Sequence, residues 1–250
     1  MKNIVVSIFI AFVLTSCVSD DTSSTNQSNT LTSSKAMFSV VGDYLYTVNG
    51  SKMNIFDVTQ PENPILKTFV DIAFDVETIF SYKQQLYLGA SSGVYIYDIT
   101  DPLLPTKIST FGHTQSCDPV VIADDIAYVT LNSSRSCFFG EDTNKLEIID
   151  VQDPKNPILI KSVDMYAPDA LSVSDNTLFI CDSTAGLKAF DINKSLEDNK
   201  TVVTLQTQDI IASECYDIIA DDYTLVISND TDIKQYDYAS FPMSKLSEIK

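Results

Sequence analysis

Two short landmarks that recur five times in fixed order, a tight turn just ahead of the first and prolines just behind the second together predict an all-β fold: a β-propeller, most simply of five four-stranded blades. The first landmark is Leu45-Tyr46, repeated as Leu86-Tyr87, Ala127-Tyr128, Leu178-Phe179 and Leu225-Val226. The second is an apolar run closed by Asp: Ile55-Phe56-Asp57-Val58, Ile96-Tyr97-Asp98-Ile99, Ile149-Asp150-Val151, Phe190-Asp191-Ile192 and Tyr236-Asp237-Tyr238. Successive copies of that Asp stand 41, 52, 41 and 46 residues apart. A period in the forties is the length of one propeller blade, a four-stranded unit that cannot bury its own faces and so packs against its neighbours.

Each unit reads as four strands, A to D. In the second they fall near Val76–Ser81, Leu86–Ala90, Val94–Ile99 and Pro105–Phe111. The A–B turns are Gly42-Asp43, Lys83-Gln84, Asp124-Asp125, Asp175-Asn176 and Asp221-Asp222. Asp and Asn tolerate left-handed dihedrals and bond their own backbone, so these acidic pairs are turn formers before they are metal ligands. The Asp closing strand C suits an Asx turn into the C–D loop. Pro61/Pro64, Pro102/Pro105 and Pro154/Pro157 follow it, the second of each pair opening strand D. Proline lacks an N–H and is tolerated at the start of an edge strand, where it also discourages edge-to-edge aggregation. Repeats four and five lose this form, at Asn193-Lys194-Ser195 and Ala239-Ser240-Phe241-Pro242, as terminal units of repeat proteins commonly do.

The repeats fill residues 36–250, with blades at about 36–70, 71–111, 112–163, 164–205 and 206–250. The first begins with its own inner strand near Phe38–Val41 and the last ends with its own outer strand near Lys245–Ile249, so a five-bladed ring needs no strand lent across its closure. Six blades follow only if the long third repeat holds extra strands.

Ahead of the repeats, Met1-Lys2-Asn3 is a short positive segment and Ile4 to Val13 an apolar one too short to span a bilayer. Leu14-Thr15-Ser16-Cys17 resembles the lipobox of bacterial lipoproteins. That resemblance implies that residues 1–16 are a signal peptide, that cleavage falls before Cys17, and that Cys17 is acylated and holds the chain to the lipid bilayer. Residues 17–35 are rich in Ser, Thr, Asn and Gln and read as a flexible tether. Val18 follows the cysteine where an inner-membrane retention signal would place Asp, and Ser19-Asp20-Asp21 is similar to surface-export tags of Bacteroidetes lipoproteins. The expectation is an outer-membrane lipoprotein on the periplasmic or cell-surface side. The net charge of −18 is a solubilising field that repels nucleic acid and anionic headgroups, so neither is an expected partner.

Several repeat segments, Asp57-Val58-Thr59-Gln60-Pro61, Leu86-Tyr87-Leu88-Gly89, Ala127-Tyr128-Val129-Thr130-Leu131 and Leu178-Phe179-Ile180-Cys181-Asp182, resemble the LVIVD repeat of bacterial β-propeller lipoproteins. So do Ser116-Cys117-Asp118-Pro119-Val120-Val121, Ala185-Gly186-Leu187 and Gln235-Tyr236-Asp237-Tyr238. The resemblance runs from about Phe38 to Lys250. It implies a propeller and an extracytoplasmic address and brings no agreed activity with it.

In a propeller the D–A and B–C loops share the face at the mouth of the central channel. That register gathers Glu77, His113, Asp118, Arg135, Asp169, Asp182 and Asp217 there; in the third repeat the D–A loop is Gly112 to Pro119 and the B–C loop is the long insertion Asn132 to Asn144. Carboxylates around one His could hold Ca²⁺, which takes six to eight oxygen ligands, or supply acid–base chemistry. The plainer reading is that converging inner strands present polar residues to a wet channel. His113 alone makes no nucleophilic triad, and no phosphate loop, dinucleotide motif or zinc spacing is present. With Cys17 set aside, four cysteines remain, an even number suited to an oxidising compartment. Cys117–Cys137 is the expected pair, pinning the insertion over the channel; Cys181 and Cys215 either pair with each other or stay buried as thiols. Three functions fit: a surface module binding a protein or glycan, which the tether and insertion favour; a Ca²⁺-dependent propeller hydrolase; and a structural subunit of an outer-membrane complex.

Overall fold

The computed structural model describes residues 36–72, 76–112, 119–133, 144–198 and 200–250. Twenty strands form five antiparallel sheets of four, each joined in plain sequence order, and the sheets are the five blades of a β-propeller. Blade 1 holds β1 (Phe38–Val41), β2 (Tyr44–Asn49), β3 (Lys52–Asp57) and β4 (Ile65–Asp71). Blade 2 holds β5 (Val76–Tyr82), β6 (Gln85–Ala90), β7 (Gly93–Asp98) and β8 (Thr106–Gly112). Blade 3 holds β9 (Val120–Ala123), β10 (Ile126–Leu131), β11 (Lys145–Asp150) and β12 (Ile158–Asp164). Blade 4 holds β13 (Ala170–Ser174), β14 (Thr177–Cys181), β15 (Leu187–Glu197) and β16 (Lys200–Ile211). Blade 5 holds β17 (Asp217–Asp221), β18 (Thr224–Ser228), β19 (Ile233–Asp237) and β20 (Ser244–Ile249).

The turn chemistry is as the sequence dictates. Gly42, Lys83, Asp124, Asp125, Asp175 and Asp222 all carry positive φ in the A–B turns. The Asp that closes strand C accepts from the backbone two residues on: Thr59 N to Asp57 at 3.0 Å, Thr100 N to Asp98 at 2.7 Å, Gln152 N to Asp150 at 2.9 Å and Ala239 N to Asp237 at 2.8 Å. These bonds favour the charged carboxyl, and the Asp57 and Asp98 pKa values sit below their ordinary value with the Thr59 and Thr100 hydrogen bonds as first cause. Pro64, Pro105 and Pro157 each immediately precede strand D.

Four apolar cores hold the blades together, one per junction. Within the first landmarks of blades 2 to 4 the leading residue faces the blade before and the aromatic faces the blade after. Tyr46 shares a core with Leu86, Tyr87 with Ala127, Tyr128 with Leu178, and Phe179 with Leu225. Those four rings are among the largest fully buried side chains. Sealing each contributes roughly 1.5–3 kcal/mol relative to leaving it exposed. A blade covered on both faces has no polar alternation. All six residues of β10 are buried, and in β6 only Gln85 is not.

The terminal blades differ. In β2 only Tyr46 and Val48 are buried, and in β18 only Leu225 and Ile227, the alternation of a sheet covered on one face. Among the described residues no buried apolar cluster joins blade 5 to blade 1. Repeat four departs from the Asp-Pro form because its outer strands run on: β15 and β16 pair from Leu187↔Ile211 out to Glu197↔Lys200. This long hairpin returns over blade 3, where Val203 is buried and Thr201 Oγ1 donates to Asp150 at 2.5 Å.

Candidate functional site on the channel face

On the face carrying the D–A and B–C loops, those of blades 4 and 5 lie wholly within the described residues. At the end of β14 the chain makes a single 3₁₀ turn, Ser183–Ala185, before entering β15. Asp182 N donates to Gly186 O at 3.0 Å and closes that turn. Gly186 is required there: its φ is +92°, and a Cβ would stand 2.4 Å from Ile211 O.

Asp182, expected at an open channel mouth, is fully buried. Its carboxylate accepts from Tyr166 N at 3.0 Å and Ala167 N at 2.8 Å and is ion-paired to Lys188. Both oxygens are thus committed to the D–A loop of blade 4 and to the neighbouring strand. A buried carboxylate persists only when paired in this way, which makes Asp182 a loop clamp and not a free ligand. Asp169 is also buried; its N donates to Cys181 O at 2.7 Å, and Asn132 Nδ2 donates to its Oδ1 at 3.5 Å, across the blade 3–4 junction. Asn144 adds a second bridge there, accepting from Ser133 N at 2.9 Å and donating to Tyr166 O at 2.6 Å.

Cys181 and Cys215 pair. Their Cα atoms are 5.5 Å apart, and the disulfide ties the B–C end of blade 4 to the D–A loop of blade 5. Around it, Lys234 Nζ donates to Ser213 Oγ at 3.1 Å and pairs with Asp232 at 3.1 Å, and Tyr216 OH donates to Glu214 at 3.0 Å. The Lys234 ammonium lowers the Asp232 pKa, and the bond to Glu214 raises that of Tyr216. Asp217 and Glu77 are half-buried; Asp217 opens β17, and Glu77 lies at the bulge between Val76 and Thr78 in β5. Among the described residues no three His, Cys, Asp or Glu side chains converge to hold a metal ion. His113, Asp118, Arg135, the expected Cys117–Cys137 pair and Cys17 lie outside the described residues.

Two ion-pairing side chains on this face escaped the sequence reading. Lys188 pairs with Ile180 and Lys234 with Ile227, the same register of strand C in blades 4 and 5. A cation repeated at one position of adjacent repeats was the available signal. On the opposite face a cavity of about 250 Å³ is lined by Ala123, Asp124 and Ile126 of blade 3 and by Asp175, Ile192 and Lys194 of blade 4.

The LVIVD repeat family matches residues 37–72 and 138–165. No curated protein matches the sequence. Among solved structures, the computationally designed Ika8 protein superposes with a TM-score of 0.58 at 13% identity, over 85% of this chain and 60% of that one. A periplasmic gluconolactonase of Pseudomonas aeruginosa gives 0.61 at 13% identity, over 83% and 67%. A candidate 6-phosphogluconolactonase of Bacteroides fragilis gives 0.62 at 11% identity, over 85% and 69%. At such identity these likenesses establish the propeller alone, and the chain spans 60–69% of their lengths.

Proposed function

We propose that this LVIVD-repeat propeller is a lipid-anchored, extracytoplasmic binding module whose channel face on blades 4 and 5 grips a protein or glycan partner. One observation carries the reading: the D–A loop of blade 5 is fixed covalently to the end of β14 by Cys181–Cys215, while the buried Asp182, paired with Lys188, holds the D–A loop of blade 4. Loops on propellers are otherwise the most mobile part of the fold. Locking them removes the ordering entropy that binding would have to overcome, which is how a preorganised surface gains affinity. Tyr216, Glu214 and Lys234 then stand on a fixed frame and offer an aromatic ring with charges of both signs.

Anchoring is tested by radiolabelled palmitate: the full chain takes up label, Cys17→Ser does not, and equal labelling of the two excludes acylation at that residue. Binding is tested with a photo-reactive amino acid at position 216 in native membranes. The expected result is a discrete adduct with one partner, weakened at least tenfold when Cys181→Ala and Cys215→Ala are combined. An adduct of unchanged yield in that double variant, or none in the parent, refutes the role of the locked loops.

A further inference from the structure

We propose that the cavity on the A–B turn face of blades 3 and 4 binds one neutral sugar ring, whose hydroxyls are read by Tyr128, Asp124 and Asp175. The A–B turns of both blades and residues 192–194 of β15 line it, and its volume is about 250 Å³. It lies on the face opposite the Cys181–Cys215 bridge, so the result of its test is independent of the partner proposed for that face.

The floor of the cavity holds an uncommitted polar group. Tyr128 is 1% exposed and lines the cavity. Its hydroxyl has no hydrogen-bond partner among the described residues. Tyr46, at the same landmark of blade 1, donates to Pro102 O at 3.1 Å, in the C–D loop of blade 2. Blade 4, which follows Tyr128, has no such loop, because β15 runs on to Glu197. A buried phenol ordinarily finds a partner, and for Tyr128 the cavity is where one fits. Burial and then the Asp124 charge raise the Tyr128 pKa, so the phenol stands near Asp124 and keeps its proton for donation. On the rim, the exposed side chains of Asp124, Asp175 and Asn176 make no hydrogen bond among the described residues. Lys194 Nζ donates to Asp124 O, which ties the long hairpin to the blade 3 turn and fixes the distance between the two walls.

This donor set selects the ligand. Two carboxylates repel an anion, and they would lose hydration without return against an apolar guest. The Lys194 ammonium opposes an organic cation. Among the described residues no third His, Cys, Asp or Glu joins the two carboxylates to hold a metal ion. Hydroxyls satisfy every member: each donates to a carboxylate and accepts from the phenol or from the Asn176 amide. Ile126 and Ile192 supply an apolar wall for the C–H face of a ring. The volume falls below the range of about 300–1,000 Å³ typical of drug-sized ligands, so one ring fits and an oligosaccharide does not.

The test uses the full chain purified in a sugar-free detergent. The probes are glucose, galactose, mannose and xylose, with glucuronate and galacturonate as charged counterparts. Saturation-transfer NMR identifies the binders and titration calorimetry measures Kd. At least one neutral sugar should bind with a Kd of about 1–10 mM. Tyr128→Phe and Asp175→Asn should each weaken it about fivefold, the loss of one hydrogen bond, and the uronates should bind at least tenfold more weakly. Tyr128→Phe should also leave the melting temperature unchanged, whereas Tyr46→Phe, which loses the bond to Pro102 O, should lower it. No saturation by any neutral sugar below about 100 mM, uronates binding as well, an unchanged Kd in Tyr128→Phe, or a lower melting temperature in that variant each overturns the proposal.

Discussion

Replacing both Cys181 and Cys215 by Ala should lower the melting temperature by about 9 °C. The bridge spans 34 residues of sequence. Cross-linking such a loop removes about 13 cal/mol/K from the unfolded ensemble, or about 4 kcal/mol at 25 °C. With an unfolding entropy of about 2.1 cal/mol/K per residue over the repeat region, that free energy corresponds to a shift of about 9 °C. Both cysteines are fully buried, so the exchanged sulfurs leave small voids that add to the loss. Scanning calorimetry of the purified chain measures the shift, and peptide mapping under non-reducing conditions verifies the bridge in the parent. The double variant is cleaner than reductant, which would also open any bridge at Cys117 and Cys137. Amide exchange should quicken first in blades 4 and 5, since stability in a repeat protein is a sum of local and nearest-neighbour contributions. A shift under about 2 °C with the bridge mapped as formed would refute the reasoning, because the loop-closure entropy would then play no part in the stability.

Asp182→Ala leaves the Lys188 ammonium and two backbone N–H groups without their acceptor and should cost about 3–5 kcal/mol by urea unfolding; a cost under 1 kcal/mol contradicts its role as a clamp. Gly186→Ala should cost at least about 2 kcal/mol, because the new Cβ meets Ile211 O at 2.4 Å in a left-handed backbone, whereas Gly42→Ala, which meets open space, should cost about 1 kcal/mol. Equal losses in the two would remove the steric argument. Burial raises the Tyr46, Tyr87 and Tyr128 pKa values above their ordinary value of 10.0. The folded chain therefore keeps protons that the unfolded chain releases above pH 10, and stability should be intact below that pH and fall above it by up to about 1.4 kcal/mol per pH unit for each ring. The urea midpoint between pH 9 and pH 11.5 reads this directly; an unchanged midpoint means that the rings are not sealed between blades.

The fold was legible because every repeat writes the same three constraints locally: a left-handed turn, an apolar run of strand length, and an Asp that folds back on its own backbone. The strand at Phe38–Val41 follows from those alone, and the one expected near Val76–Ser81 runs Val76–Tyr82. The length of the β15–β16 hairpin was less legible, since losing the proline pair removes a stop without saying where the next one lies. The candidate site was legible as a place and not as chemistry. Register put Asp169 and Asp182 on the channel face, but no sequence pattern shows that Asp182 faces inward to Tyr166, Ala167 and Lys188. That depends on how deeply the D–A loop of blade 4 folds over the strand end. The pairing of Cys181 with Cys215 likewise depends on a distance between blades that a one-dimensional repeat does not contain.

The position of that bridge follows from the same energetics as the uncovered faces. A blade inside the array gains two junctions, and a terminal blade gains one, so within one chain blade 5 folds with about half of the apolar contact available to blade 3. Its outward face also lacks an aromatic: Val226 stands where Tyr46, Tyr87, Tyr128 and Phe179 stand in the other four. The disulfide joins blade 5 to the array at its single packed junction and offsets part of that deficit. Blade 1 has no bridge among the described residues and is held by other means. Ile79 N donates to Ala36 O at 2.9 Å, and Tyr46 OH donates to Pro102 O at 3.1 Å, both reaching into blade 2. Each terminal blade is thus secured to its neighbour by something other than a second core, which holds the blade in place with its outer face uncovered.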